Sequence, residues 1–240
     1  MFKRLLPFLL LMAPQAQAAI SVVQCNSGHT AANNQSVTLN GVAAGNALWL
    51  AATCNAAGNS DFIFTGATFT RLVTQSQSNF QLQQWEALNQ SSGNYTINGS
   101  LTGCSQFSMA LCEVSGLSNS GQPDGTNNSG SVQTNPPINS GSLTNTAANV
   151  IFLTAVAAYV PAGSNNWTVP TGYTIPTNGN VVDGYLAVAY NIVSSTGAQN
   201  PQWTTGTGPQ FLYADIVSLK AASGGTTKLC TIPLLATGPC

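Results

Sequence analysis

The chain has 240 residues, 43% of them hydrophobic and only 5% charged, with a formal net charge of −1. Five lysines and arginines cannot neutralise a run of phosphates, which excludes nucleic acid as a partner class. The apolar share excludes a disordered chain, and Ser, Thr, Asn, Gln and Gly supply solubility in place of charge.

Residues 1–18, MFKRLLPFLLLMAPQAQA, read as a secretory signal peptide. Lys3 and Arg4 form the basic start, Leu5 to Met12 an apolar stretch broken by Pro7, and Ala16-Gln17-Ala18 a cleavage signal cut after Ala18. The apolar stretch is far short of the ~20 residues that span a bilayer. No lipobox cysteine stands at the cut, since the first cysteine is Cys25. The expected mature chain, 19–240, carries three bases (Arg71, Lys220, Lys228) against six acids (Asp61, Glu86, Glu113, Asp124, Asp183, Asp215). The expected location is secreted, extracellular or at the cell surface, with no membrane span.

From residue 20 onward the apolar pattern has period two, with turn residues between short runs. It predicts strands at 20–25, 36–40, 46–54, 61–65, 67–75, 79–88, 93–100, 106–115, 147–160, 168–175, 183–194 and 209–220. Turns are predicted at Asn40-Gly41, 58–60, Asn98-Gly99 and 206–208. The stretch 147–160 alternates apolar residues of both parities, as a strand buried on both faces does. Residues 117–146, rich in Ser, Asn, Gly and Pro, are expected to form a long surface loop. No internal repeat is visible, and each half holds too few predicted strands to close a core alone. The fold class read from this is all-β: a single jelly-roll-like antiparallel β-sandwich over 19–220, followed by a tail, 221–240.

The strings "GNALWLAAT" (45–53), "ATFTRL" (67–72), "WEALN" (85–89), "GNYTING" (93–99), "SMALCEVSGL" (108–117), "LTNTAANVIFLTA" (143–155), "VPTGYT" (169–174) and "YADIVSLK" (213–220) follow one another in an order and spacing that resembles an uncharacterised jelly-roll-type β-sandwich domain of secreted bacterial and phage-associated surface proteins. The resemblance implies a sandwich fold and a surface location. It brings no catalytic residues. The six cysteines and the tail depart from it.

Six cysteines in an exported chain are expected to form disulfides. Cys104 and Cys112 share one predicted strand and stand about 27 Å apart, too far to pair with each other. Cys230 and Cys240 enclose a loop with two prolines and a glycine and are expected to pair. Cys25 and Cys54 are then left for Cys104 and Cys112, in either order.

No catalytic residue is assigned, and no cofactor or metal is expected. The one histidine, His29, lies in the polar segment 26–35, and there is no Gly-x-Ser-x-Gly nucleophile turn. Segment 124–130 offers oxygen ligands but fails the calcium-loop pattern. Glu86 and Glu113 are the carboxylates a glycosidase reading would use. Glu113, at the end of an apolar strand, is read as a structural cap that accepts N–H groups of the loop after it or pairs with Arg71. Trp167 and Trp203 sit near polar loops and are the candidates for stacking on a sugar; Trp49 is read as core. The functional expectation is a secreted, non-enzymatic structural or adhesive surface protein whose partners are surface glycans or further copies joined through the tail. The alternatives are a carbohydrate-binding module and a glycan-active enzyme.

Overall fold

The computed structural model describes residues 19–56, 61–77, 80–128, 137–159, 167–176, 185–205 and 211–223. The signal segment, Cys230, Cys240 and the tail beyond residue 223 lie outside the described residues. No helix occurs among the described residues. In chain order the strands of the first half are β1 (Ser21–Thr30), β2 (Asn34–Val42), β3 (Ala47–Ala56), β4 (Ile63–Thr65), β5 (Thr70–Gln77), β6 (Phe80–Ala87), β7 (Gly93–Ser100) and β8 (Cys104–Ser115). Those of the second are β9 (Gly125–Asn128), β10 (Ile138–Asn139), β11 (Leu143–Thr144), β12 (Val150–Tyr159), β13 (Trp167–Thr168), β14 (Leu186–Val193), β15 (Ala198–Gln199), β16 (Gln202–Thr205) and β17 (Phe211–Lys220). Their pairings are antiparallel.

The all-β antiparallel sandwich read from the alternation is what the chain forms. A five-stranded sheet, β1-β8-β3-β6-β5, and a four-stranded sheet, β14-β12-β17-β9, pack face to face around a shared core. Each central sheet is covered on its other face. The sheet β2-β7-β4 covers the first, and β10-β16-β13 with the pair β11-β15 covers the second. Among the described residues no sheet closes into a barrel.

Strand alternation explains the layers. In β3, Ala47, Trp49 and Ala51 enter the shared core, while Leu48, Leu50, Ala52 and Cys54 enter the core under β2 and β7. In β12, Ile151, Leu153, Ala155 and Ala157 face the shared core, and Val150, Phe152, Val156 and Ala158 face the outer one. Both strands are apolar on both sides because both are buried on both sides. Each fully buried Leu, Val, Ile or Phe contributes about 1.5–3 kcal/mol.

The order β1-β8-β3-β6 facing β2-β7-β4 is that of a jelly roll, two Greek keys wound together. The same order recurs downstream. There β9-β17-β12-β14 faces β10-β16-β13, and an isolated bridge sets Thr174 beside Tyr190 of β14 as β5 lies beside β6. One apolar core belongs wholly to residues 37–111 and another wholly to residues 138–216. Each half therefore encloses its own core besides the shared one, which corrects the expectation that neither could, and a repeat absent from the sequence is present in the topology.

Several local expectations are also corrected. The stretch 117–146 is not one surface loop, because β9, β10 and β11 lie in it. The strand expected at 168–175 is reduced to Trp167–Thr168 and the bridge at Thr174. Asn98-Gly99 is no turn: Gly99 lies within β7, where a Cβ would come within 2.9 Å of Met109, Phe64 and Phe107. Small size, not turn geometry, is what the site asks for. Asn40-Gly41 marks a register shift inside β2, with Gly41 at φ 64°.

Candidate functional site

Glu113 is buried, 1% exposed. The antiparallel register sets it opposite Leu48 of β3 and Gln24 of β1, so the turn that precedes β3 folds over its carboxylate. The carboxylate accepts hydrogen bonds from the Ala43 amide at 2.8 Å, the Asn46 side chain at 2.5 Å and the Gln24 side chain at 2.7 Å. Asn46 in turn accepts the Gln90 amide through its carbonyl, and Gln90 accepts the Gly45 amide. Glu113 is thus a cap, but of the β2–β3 turn. The expected donors, the loop after Ser115 and Arg71, are not its partners. Arg71 instead pairs with Asp61 at the exposed edge. Glu113→Gln replaces one acceptor oxygen with an NH2 that faces other donors. The variant is expected to unfold about 1–3 kcal/mol more easily in urea; an unchanged midpoint would contradict the cap.

Glu86 and Glu113 cannot flank one glycosidic bond. Phe107, Met109 and Leu111 set the parity of Glu113 toward the β2–β7 core. Phe80 and Leu82 set that of Glu86 toward the shared core. The two carboxylates leave opposite faces of one sheet.

A polar chain crosses the shared core. Trp49 Nε1 donates to Gln84 Oε1 at 2.7 Å, and Gln84 Nε2 donates to Asp215 Oδ1 at 2.5 Å. Asp215 has no exposed surface, and its Oδ2 has no hydrogen-bond partner; nor has Glu86 Oε2. Burial pushes both carboxyls up to about 7; in Asp215 the hydrogen bonds from Gln84 and from the Ala155 and Asp215 amides oppose it. Both acids face the shared core between the sheets, Asp215 with no exposed surface and Glu86 5% exposed.

Other sequence candidates have structural partners. His29 lies in β1, not in a loop; its ring stacks on Tyr185 at 4.7 Å, and its Nε2 meets Gln106 Oε1 at 2.9 Å. Asp124 accepts the Thr146 amide and hydroxyl and the Ala147 amide, tying down the turn before β12. Burial works against its ionised form, but these hydrogen bonds and nearby Lys220 outweigh it and lower the carboxyl's pKa. Among the described residues no three His, Cys, Asp or Glu side chains are placed to hold a metal ion.

The two tryptophans expected to stack on sugar are in the core. Trp203 is 0% exposed and Trp167 8% exposed. Their rings meet edge to face at 6.4 Å, and Trp203 Nε1 donates to Thr154 Oγ1 at 3.1 Å. Neither offers an indole face to a ligand. Their neighbours are better placed. On β16, Gln202 and Thr204 point away from the side that Trp203 buries, and they line a cavity of about 400 Å³. Gln199, Asn200, Thr171 and Tyr173 complete its polar wall.

Two disulfides resolve the open pairing: Cys25–Cys112 and Cys54–Cys104. Both bind β8 to a neighbouring strand, β1 or β3, and no described cysteine is free. The disulfides are compatible with an extracellular protein. No helix among the described residues is long and apolar enough to cross a membrane.

No protein-family model, no curated protein and no solved structure matches this chain.

Proposed function

We propose that this chain is a secreted, non-enzymatic surface protein with an adhesive or structural role. The observation that carries the reading is the placement of the acids. None of the five described carboxylates lines the cavity beside β16: Asp61 pairs with Arg71, Asp124 and Glu113 hold turns, and Glu86 and Asp215 are buried in the shared core. No described residue of the cavity wall carries a charged side chain. General acid–base hydrolysis asks for the reverse, titrating groups facing one open bond. Two disulfides and closely packed cores suit a protein that holds its shape outside the cell.

The test incubates the purified, oxidised mature protein with cell-wall preparations and with soluble oligosaccharides. Retention on the surface without release of reducing sugar is the expected result. Steady release of sugar, scaling with protein concentration, would overturn the reading, as would failure to associate with either surfaces or further copies of the chain.

A further inference from the structure

We propose that the cavity beside β16 is a binding site for a neutral carbohydrate, one or two sugar rings in size. The inference rests on the adhesive reading above and gives it a place and a ligand class. At about 400 Å³ the cavity lies near the small end of the ~300–1,000 Å³ typical of ligand sites.

Its chemistry selects the ligand. Gln199, Asn200 and Gln202 bring three side-chain amides, and Thr171 and Thr204 bring two hydroxyls. Each amide offers one acceptor oxygen and two donor hydrogens, a match for adjacent sugar hydroxyls that both donate and accept. With no lysine, arginine, aspartate or glutamate among the described residues of the wall, an anionic or cationic ligand would lose its hydration without gaining a partner there. Pro137, Pro170 and Pro201 add apolar surface for the C–H faces of a ring.

The wall is also preformed. Tyr173 N–H donates to the Pro170 carbonyl at 3.0 Å, and Gly172 has φ 82°, which closes a tight turn around Thr171. Ser140 N–H holds the Pro201 carbonyl at 3.2 Å. Trp203, buried and hydrogen-bonded to Thr154, anchors the strand from which Gln202 and Thr204 project. A wall held this way loses little freedom on binding. Tyr173 lines the cavity, and its buried phenol oxygen has no partner within the protein. Burial raises the phenol's pKa, so the group stays neutral and adds no charge beside the cavity. A proline-rich peptide is the competing ligand. Such peptides use grooves lined by exposed aromatic faces, whereas among the described wall residues the aromatic ring, Tyr173, is buried and amides dominate.

The mature, oxidised protein is screened on an array of neutral oligosaccharides of glucose, xylose, mannose and N-acetylglucosamine, with sulfated glycans and proline-rich peptides alongside. The best ligand is then titrated by calorimetry. Asn200 and Gln202 are exposed, so N200A/Q202A should melt as the parent does while affinity falls by about tenfold or more. Thr204→Val, which keeps the side chain's shape and removes the hydroxyl of a partly exposed wall residue, is the second variant should the first fold poorly, and a weakening there carries the same meaning. Absence of neutral-glycan binding, preference for the peptides, or affinity unchanged in both variants overturns the site. Glycan binding that survives both variants removes this cavity yet leaves the adhesive reading standing. Sugar release by the parent protein removes the non-enzymatic reading itself.

Discussion

Asp215→Asn is expected to make the protein more stable at pH 8 by about 3 kcal/mol or more and to change little at pH 4. The reason is the carboxyl sealed between the two central sheets. Its folded pKa is about 7 against an ordinary 3.8, so the native state holds the proton more tightly than the unfolded chain. Stability is then full below the unfolded value and is lost as pH rises through about 7. Each tenfold change in proton affinity is worth about 1.4 kcal/mol, which bounds the loss at roughly 4 kcal/mol, with some 2–3 kcal/mol of it falling between pH 5 and 8. Glu86, raised from 4.5 to about 7, adds a loss of the same sign. The wild-type unfolding free energy, measured in urea from pH 4 to 9, should therefore fall across that range, and Asp215→Asn should flatten part of the fall. Asn keeps an oxygen for Gln84 Nε2 and cannot ionise. A parallel displacement of the two pH curves would show that the carboxyl is not the cause.

How much of this could be read beforehand depends on range. Strands such as β3, β6, β7, β8, β12 and β17 are eight to twelve residues long, enough for a period of two to show. The covering strands β10, β11, β13 and β15 have two residues each, too few for any period. That is why 117–146 looked like loop. The repeated strand order is hidden for a different reason. Topology constrains which strands are neighbours, while side chains need only be apolar on the buried side. Position 112 is a disulfide cysteine on β8, yet among the described residues no disulfide ties β17, the strand in its place downstream.

The candidate site shows the same limit. In Gln202-Trp203-Thr204 the sequence marks an aromatic between polar residues but does not say which side is inward. Burial of the indole is the larger gain, so Trp203 faces the core and its polar neighbours face the cavity. Glu113 was legible as a satisfied buried acid because an unpaired one is costly. Its donors lie 67 to 89 residues away in the chain, beyond any local pattern.

The second large effect is expected from the disulfides. Cys25→Ala with Cys112→Ala, and separately Cys54→Ala with Cys104→Ala, should each lower unfolding stability by about 3–5 kcal/mol. The bridges close stretches with separations of 87 and 50 residues. Loop-closure entropy grows only with the logarithm of length, so the first should exceed the second by no more than about 0.5 kcal/mol. Alanine suits Cys25 and Cys112, since both side chains are buried in the shared apolar core. For a chain of this size about 4 kcal/mol corresponds to a melting shift of roughly 8–16 °C in calorimetry. Location gives a second readout. Both bridges grip β8, the strand between β1 and β3, so hydrogen exchange should quicken first in β1, β3 and β8. The effect should reach β12 and β17 only through the shared core, where Gln84 meets Asp215 and Gln75 meets the Ala214 carbonyl at 2.7 Å. Equal loss of protection in both halves would mean that the shared core makes them one cooperative unit. A melting point within about 2 °C of wild type in either pair of variants would show that the bridges add little to a sandwich already held by its three cores.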